Sequence, residues 1–508
     1  MEYLVDSHIM KSVDNYSIHE AGIPSVVLME RAALRVSAFL SNLIADNKSI
    51  RPAKVVCICG SGNNGADGIA TARQLNEAGI NVNVVLSGKS DGTNEYALQK
   101  SIINKLGIKC EEYDDRMDFS EYDYIVDALF GIGLSRMVEG KHAQIISKIN
   151  ESRKSGTTIV SIDIPSGICA DNGHVSGCAV MADYTVTFGY NKLGIMFYPG
   201  ATYSGSVKVA NAGFVPADLL RNNVKGFGNI YTFTDEDIRR LINRKNDSNK
   251  GTYGKALVIA GSETIGGAAV LSAGAAYRSG AGLVKLYTHE NNRIPVMCSV
   301  PECLITTYSD TLDIGILENA MQWAGCIAAG PGLSMNRNAR AITRKVLEIT
   351  DKVRVLDADA LNIIADENID FHGKESGTII ITPHIMEMSR LTGMTVSQIK
   401  DNPVSCAMEY AGRHQCICVL KDAKTIVTDG KELYINCTGN NGMSTGGSGD
   451  VLTGLIAGLA VQGIDAMQAA CLAVYIHGKA GDCAAKKKSC EAMIASDISD
   501  AVSDALRR

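Results

Sequence analysis

Leu28, Ala32, Val36, Phe39 and Leu43 recur at spacings of three and four in a stretch that opens on Pro24 and closes at the polar pair Asp46-Asn47. That period predicts an amphipathic helix. The pattern then changes: KVVCIC (54–59) is an unbroken apolar run that gives way to the loop SGNNGADG (61–68) and resumes at helical spacing. This predicts a strand–loop–helix unit. Strand patterns recur at 81–88, 124–134, 157–167 and 184–189, and later at KALVIAGS (255–262), LVKLYT (283–288), CIAAGPGLS (326–334), VRVL (353–356), TIIITP (378–383), CICVL (416–420) and TIVTD (425–429), with helical patterns between most of them. Such alternation predicts an α/β protein with parallel sheets and helices on both faces.

With 508 residues the chain exceeds one ordinary core, which points to two domains. Periodicity fades over 212–230, which places the boundary between 216 and 228 and the domains at 1–216 and 228–508. No fixed-period repeat is present, so a solenoid is excluded. Apolar content of 46% with 20% charged residues belongs to a soluble globular enzyme. The net charge of −6 without a long basic run argues against nucleic acid or an acidic membrane as partner. MEYLVDSHIMKSVDNYS carries charges where a secretory signal needs an apolar core, and no run of eighteen apolar residues follows, so a cytoplasmic protein is expected. Fifteen cysteines are scattered and odd in number; Cys57/Cys59 and Cys416/Cys418 alternate with aliphatics, the pattern of buried reduced thiols.

The candidate chemistry concentrates in Gly439–Gly454, GNNGMSTGGSGDVLTG, which leads into the apolar helical run VLTGLIAGLAV. Gly446, Gly447 and Gly449 then fall at a helix start, where unpaired N–H groups and the helix dipole attract phosphate. Asp450, in the first turn, is either a helix-stabilising acid or a base that takes a proton from a substrate hydroxyl attacking phosphorus. Asp127 and Asp163 sit at strand ends near the Asn63-Asn64 loop and Asp67, the crevice side of a doubly wound sheet, although turn formation is the plain alternative for each. Asp163 is the acid/base candidate there; Lys192 is a weaker one, since a solvated loop lysine explains it as well. In the second half, Asp357, Asp359 and Asn362 at a strand end suit polar substrate groups or hydrated magnesium, against a capping role. His384 follows the strand TIIITP, a ligand contact or a structural histidine, and Lys421 ends CICVL, where it is either a mobile positive charge for phosphate or a solvated surface lysine.

These residues carry a resemblance. LMERAA, GSGNNGADG, DALFGIGL, DIPSG and FGYNKLG, in that order over about residues 1–215, resemble the N-terminal epimerase domain of the NAD(P)H-hydrate repair enzymes; TPHIMEM (382–388), VLKDAKTIVTDG (419–430) and GGSGD (446–450) resemble their ribokinase-like dehydratase domain. The resemblance implies a Rossmann-like N-terminal fold that interconverts the R and S hydrates, and a C-terminal domain that dehydrates the S form with ADP or ATP and magnesium, ADP being the donor usual in the bacterial branch. It implies a potassium ion held by Asn64, Asp127 and Ser166. The hydrate would be contacted by Asn63, Asn64, Gly65, Ala66 and Asp67, by Gly131, Ile132, Gly133, Leu134, Ser135, Arg136 and Met137, and by Asp163. In the dehydratase, Ala268, Gly332, His384 and Asp450 would meet the substrate. Lys421, Asp422, Ala423, Lys424 and Thr425, with Asn440, Asn441, Gly442, Met443, Ser444, Thr445, Gly446, Gly447, Ser448 and Gly449, would hold the nucleotide. A homo-oligomer is also expected.

The chain departs from the family pattern at Ala66, where a second glycine is usual and a methyl group is expected to tighten the pocket, at Ile385-Met386 in place of Pro-Gly, and at Asp422 in place of glycine. Two other readings share the same motifs: a kinase of a small hydroxymethylated pyrimidine or thiazole alcohol, and a non-catalytic nucleotide-sensing or interaction module in the N-terminal half.

Overall fold

The computed structural model describes residues 1–47, 51–88, 92–373 and 378–507. Two compact units emerge, Tyr3–Gly228, and Asn229–Arg508 together with Met1–Glu2.

The first unit runs β1 (Glu2–Val5), α1 (Ser7–Asn15), α2 (Ser25–Asp46), β2 (Lys54–Cys59), α3 (Asn63–Glu77), β3 (Asn81–Leu86), α4 (Asn94–Lys105), β4 (Cys110–Glu112), β5 (Tyr124–Ala128), α5 (Gly140–Ser152), β6 (Thr158–Ile162), β7 (Tyr184–Phe188), β8 (Asn191–Lys192), α6 (Gly200–Ser204), β9 (Ser206–Ala210) and α7 (Ala217–Asn223). Its seven-stranded parallel sheet has the order β4-β3-β2-β5-β6-β7-β9. Strands buried on both faces read as continuous apolar runs, which is why KVVCIC shows no alternation. Leu28, Ala32, Val36 and Leu40 of α2 are buried, the stripe that their spacing predicts.

One expectation changes. SGNNGADG is not a loop, because α3 starts at Asn63 and only Ser61 and Gly62 remain outside it. Its glycines serve close approach: a Cβ on Gly65 would lie 1.8 Å from the Gly60 carbonyl oxygen, and one on Gly68 2.4 Å from Ala128 Cβ.

The second unit comprises β10 (Ile230–Thr232), α8 (Asp235–Leu241), β11 (Lys255–Ile259), α9 (Gly267–Arg278), β12 (Leu283–His289), α10 (Arg293–Ser299), β13 (Leu304–Tyr308), α11 (Ile314–Trp323), β14 (Cys326–Ala329), α12 (Arg337–Glu348), β15 (Val353–Leu356), α13 (Asp359–Asp366), β16 (Ile379–Ile381), α14 (Ile385–Thr392), α15 (Val396–Asp401), α16 (Pro403–His414), β17 (Ile417–Leu420), β18 (Ile426–Thr428), β19 (Leu433–Ile435), α17 (Ser448–Ala460), α18 (Ala466–Lys488) and α19 (Ala495–Ala505). Strands β13-β12-β11-β14-β15-β16-β17 are parallel neighbours in that order, and β18 and β19 continue antiparallel. Helices α9 and α17 approach through small residues. A Cβ on Gly454 would lie 2.2 Å from the Ser272 carbonyl oxygen, and Ala273 and Ala276 are fully buried. Those alanines are packing residues, and their contact fixes where α17 begins.

All fifteen cysteines are free, as expected, but not all are buried: Cys298 and Cys437 are exposed. Among the described residues no helix is long and apolar enough to cross a membrane.

Candidate active sites

In the first unit the chain leaves β2 toward β3 on one side and returns through β5 on the other, so the carboxyl ends of β2 and β5 diverge and open a crevice. A cavity of about 1000 Å³ occupies it. Asn63, Asn64 and Asp67 line it from the first turns of α3, Gly131, Ile132, Gly133, Leu134, Ser135 and Arg136 from the segment after β5, and Asp163 from the end of β6. Three predicted contacts do not line it. Gly65 and Ala66 are buried on the sheet side of α3, and Met137 is 65% exposed. The Ala66 methyl therefore packs in the core and does not tighten the pocket.

Asp127, at the end of β5, is fully buried and accepts four hydrogen bonds, from Ser166 Oγ (2.6 Å), Ser161 Oγ (2.8 Å), Ser166 N (2.9 Å) and Leu129 N (3.3 Å). Burial pushes its carboxyl up despite the opposing hydrogen bonds, chiefly from Ser166, and it forms no ion pair with a described residue. Asn64 packs against Gly131, and its Nδ2 is buried without a partner. The side-chain oxygens of Asp127, Ser166 and Asn64 are of the type that a hard cation takes.

Lys192 corrects the sequence reading. It is no solvated loop lysine: it is fully buried, and Nζ donates to Asp163 Oδ1 at 2.7 Å, Thr187 Oγ1 at 2.8 Å and the Phe188 carbonyl at 2.9 Å. Asp163 itself stands at φ +67°, a left-handed conformation that few non-glycine residues adopt and that concentrates at functional sites. Asp14, which the sequence reading missed, also lines the cavity.

In the second unit the glycine segment forms the predicted helix start. Gly447, at φ +90°, caps α17, and Asp450 lies in its first turn. The N–H groups of Gly446, Gly447, Gly449 and Asp450 find no acceptor among the described residues, which leaves an open cluster of donors at the positive end of the helix dipole. Asp450 likewise forms no hydrogen bond or ion pair with a described residue; burial, then the neighbouring Asp357 carboxylate, pushes it up to about 7. That matches a base working near neutrality.

Lys421 is pinned beside it. Nζ bonds Asp357 Oδ1 at 2.7 Å and lies 3.9 Å from Glu387 Oε2, and an added Cβ on Gly449 would sit 3.4 Å from it. It is an ion-paired lysine and not the mobile cation expected. Asp357, at 1% exposure, also accepts from Thr453 Oγ1 at 2.6 Å, and Ala358 turns the chain at φ +49° just after it. Of the polar residues read at this strand end only Asp357 bonds here: Asp359 accepts from Ser334 N and Asn362 from Arg390. Glu387 is almost fully buried and pushed to about 7, mainly by burial.

His384 caps α14, its Nδ1 accepting from the Met386 and Glu387 amides, and its side chain is about half exposed. Ile385-Met386 thus supplies the first turn of an intact cap. Ala268 and Gly332 adjoin each other, an added Gly332 Cβ lying 3.0 Å from Ala268 Cβ. Asp422, Ala423, Lys424 and Thr425 form the turn between β17 and β18. Asn440 caps the short turn Asn441–Met443 and donates to Asp482; Ser444 and Thr445 lead on to the helix. The Ser448 hydroxyl lies 3.3 Å from Nε2 of buried His477, which burial holds down at about 4 and therefore neutral. Sequence reading passed over Thr453 and His477. Thr453 stands one turn after Asp450 on the same helix face, a legible spacing; His477 gives no local signal.

A family model described as YjeF-related protein N-terminus matches residues 25–194, and one described as NAD(P)H-hydrate dehydratase matches residues 256–504. The bifunctional NAD(P)H-hydrate repair enzyme Nnr of Moorella thermoacetica is 36% identical, covering 99% of this chain and 97% of its own. That of Escherichia coli K12 is 33% identical over 87% of this chain and 82% of its own. The crystal structure of a ribokinase-like superfamily protein from Enterococcus faecalis V583 matches 55% of this chain and 96% of its own at 28% identity, with a TM-score of 0.51.

Proposed function

The chain belongs to the bifunctional NAD(P)H-hydrate repair enzymes, and from that premise we propose how its two units divide the work. The enzyme repairs hydrated NADH and NADPH: an N-terminal domain, 1–216, epimerises the R and S hydrates, and a C-terminal ribokinase-like domain, 228–508, dehydrates the S form at the expense of a nucleotide. Hydroxide is a poor leaving group and phosphate a good one, so the logic of the second reaction is to phosphorylate the hydroxyl before eliminating it. Asp450 takes the hydroxyl proton as the oxygen attacks the terminal phosphorus, the amides of the 440–449 segment bind the phosphoryl oxygens, and loss of phosphate restores the nicotinamide ring. The observation that carries this reading is a carboxylate held near 7 without a partner, next to backbone amides that are themselves free.

ADP is the proposed donor, with ATP the alternative. The surplus of carboxylates around Lys421, from Asp357, Glu387 and Asp450, supports a magnesium ion there, which would neutralise phosphoryl charge. In the N-terminal domain, Asn64, Asp127 and Ser166 are the proposed potassium ligands, on the strength of their oxygen donors and of Asp127 forming no ion pair with a described residue. Fifteen free thiols support a reducing, cytoplasmic setting, and assembly of identical copies is part of the same proposal, to be checked by sedimentation.

The test is to supply hydrated NADPH with ADP or ATP and follow recovery of the dihydronicotinamide absorbance. Intact protein restores it and Asp450→Ala does not. A phosphorylated product that accumulates without that recovery would mean a small-metabolite kinase instead.

A further inference from the structure

Inversion at the hydrated carbon makes a demand that one acid/base group does not meet. The hydroxyl must leave with a proton from one direction, and water must return, losing a proton, from another. Asp163 with Lys192 supplies one such group.

Resting on the epimerase reading above, we infer that Asp14 is the second, the general acid to the base Asp163, with Lys192 as the positioning residue that holds Asp163 in place at 2.7 Å. The topology brings them together. Strand β1 pairs with β8 in parallel, Val5 opposite Lys192, so that α1, which follows β1, delivers Asp14 to the cavity that Asp163 and Lys192 line. The start of α1 is fastened by Ser7, whose N and Oγ donate to Asp171 at 2.6 and 3.0 Å. Its end runs into a π-helical turn, Tyr16–Glu20, a backbone form that recurs at functional sites. The Asp14 carboxyl accepts no hydrogen bond from a described residue, whereas Asp163 accepts from both Lys192 and Thr187. Asp14 also precedes residues 25–194, the stretch that the family model covers.

The contacts of the two carboxyls assign their roles: Asp163 is paired with the Lys192 ammonium, and Asp14 has no partner among the described residues. Burial pushes Asp14 up to about 6, with Lys192 opposing and Asp163 adding to the rise. Asp67 shares the cavity and is pushed well above the usual carboxylate range, by burial and then by Asp163 and Asp14. The other charged or titratable groups lining the cavity are Lys11, Glu95, Arg136 and His142.

The step balances. Protonated Asp14 gives its proton to the hydroxyl, the C–O bond breaks with its electron pair on oxygen, and water departs while the ring-nitrogen lone pair forms the C=N bond. Water then adds to the opposite face, the C=N pair returns to nitrogen, and the proton released goes to the Asp163 carboxylate. Exchange with water in the cavity resets both acids, and in the reverse direction they exchange roles.

The experiment uses the full chain and the purified R hydrate without nucleotide, and follows R-to-S conversion by NMR over the uncatalysed rate. Asp14→Asn lowers kcat about 100-fold or more with KM within threefold, and removes the fall in rate that wild type shows as pH rises through about 6. Asp14→Glu recovers part of the rate and the pH dependence. Thermal unfolding of each variant separates loss of chemistry from loss of fold. Asp14→Asn that is folded and within threefold of wild-type kcat overturns the assignment. Wild type that does not epimerise overturns the epimerase reading itself, and this assignment with it.

Discussion

Each unit holds a lysine against a carboxylate at 2.7 Å, Lys192 with Asp163 and Lys421 with Asp357, and each surrounds the pair with further acids. The difference lies in which acid the ammonium holds. In the N-terminal unit it grips the acid/base candidate itself, whereas in the C-terminal unit it grips Asp357 and leaves Asp450 without a partner, next to open amides. One lysine fixes the reacting group itself, while the other pairs with a bystander and leaves burial to raise the base. Similar sheet ends therefore suit different chemistry: reversible proton transfer at carbon-bound oxygen in one, activation of an alcohol toward phosphorus in the other.

The largest effect that breaks the comparison is expected from Asp450→Asn. Dehydration falls about 100- to 10,000-fold while epimerisation persists, measured on the same preparation. In wild type the dehydration rate climbs as pH rises through about 7, because the base must be ionised. Stability has the opposite sign. A carboxyl raised in the folded state supports folding below its unfolded value, and that contribution is lost as pH climbs through about 7; Asp450→Asn is expected to raise the melting temperature at pH 8 and not at pH 4.

Next come the lysines. Lys192→Met and Lys421→Met each strand a carboxylate, at a stability cost of about 3–5 kcal/mol by denaturant unfolding. Only Lys192→Met is expected to impair epimerisation, and only Lys421→Met dehydration. Thr453→Val removes a 2.6 Å hydrogen bond to Asp357 and should cost about 1.5–3 kcal/mol, and clearly less when it is made in an Asp357→Asn background. Smallest is the glycine pair. Gly447→Ala meets Leu271 Cδ1 at 2.6 Å from a positive φ and should lose about 1–3 kcal/mol; Gly446→Ala meets nothing within 4 Å and should leave stability unchanged while raising the nucleotide KM.

The chain's own pattern determined a great deal: two α/β halves, the period of α2, the buried strands, and a glycine segment that opens a helix on Asp450. Those follow from local rules, since side-chain periodicity and the freedom of glycine act over a few residues. Which polar groups meet was decided by the tertiary structure. Lys192 reads as a solvated loop lysine or a weaker acid/base candidate and Lys421 as solvated or phosphate-facing, and only the tertiary meeting of Lys192 with Asp163 after β6, and of Lys421 with Asp357 after β15, commits each to a carboxylate. Ala66 belongs to the core because close packing of α3 on the sheet turns that face inward, and Asp14 reaches the cavity through a strand pairing that spans most of the unit. Burial and charge pairing are properties of neighbours distant in sequence, so a chain read in order names the groups but not the company they keep.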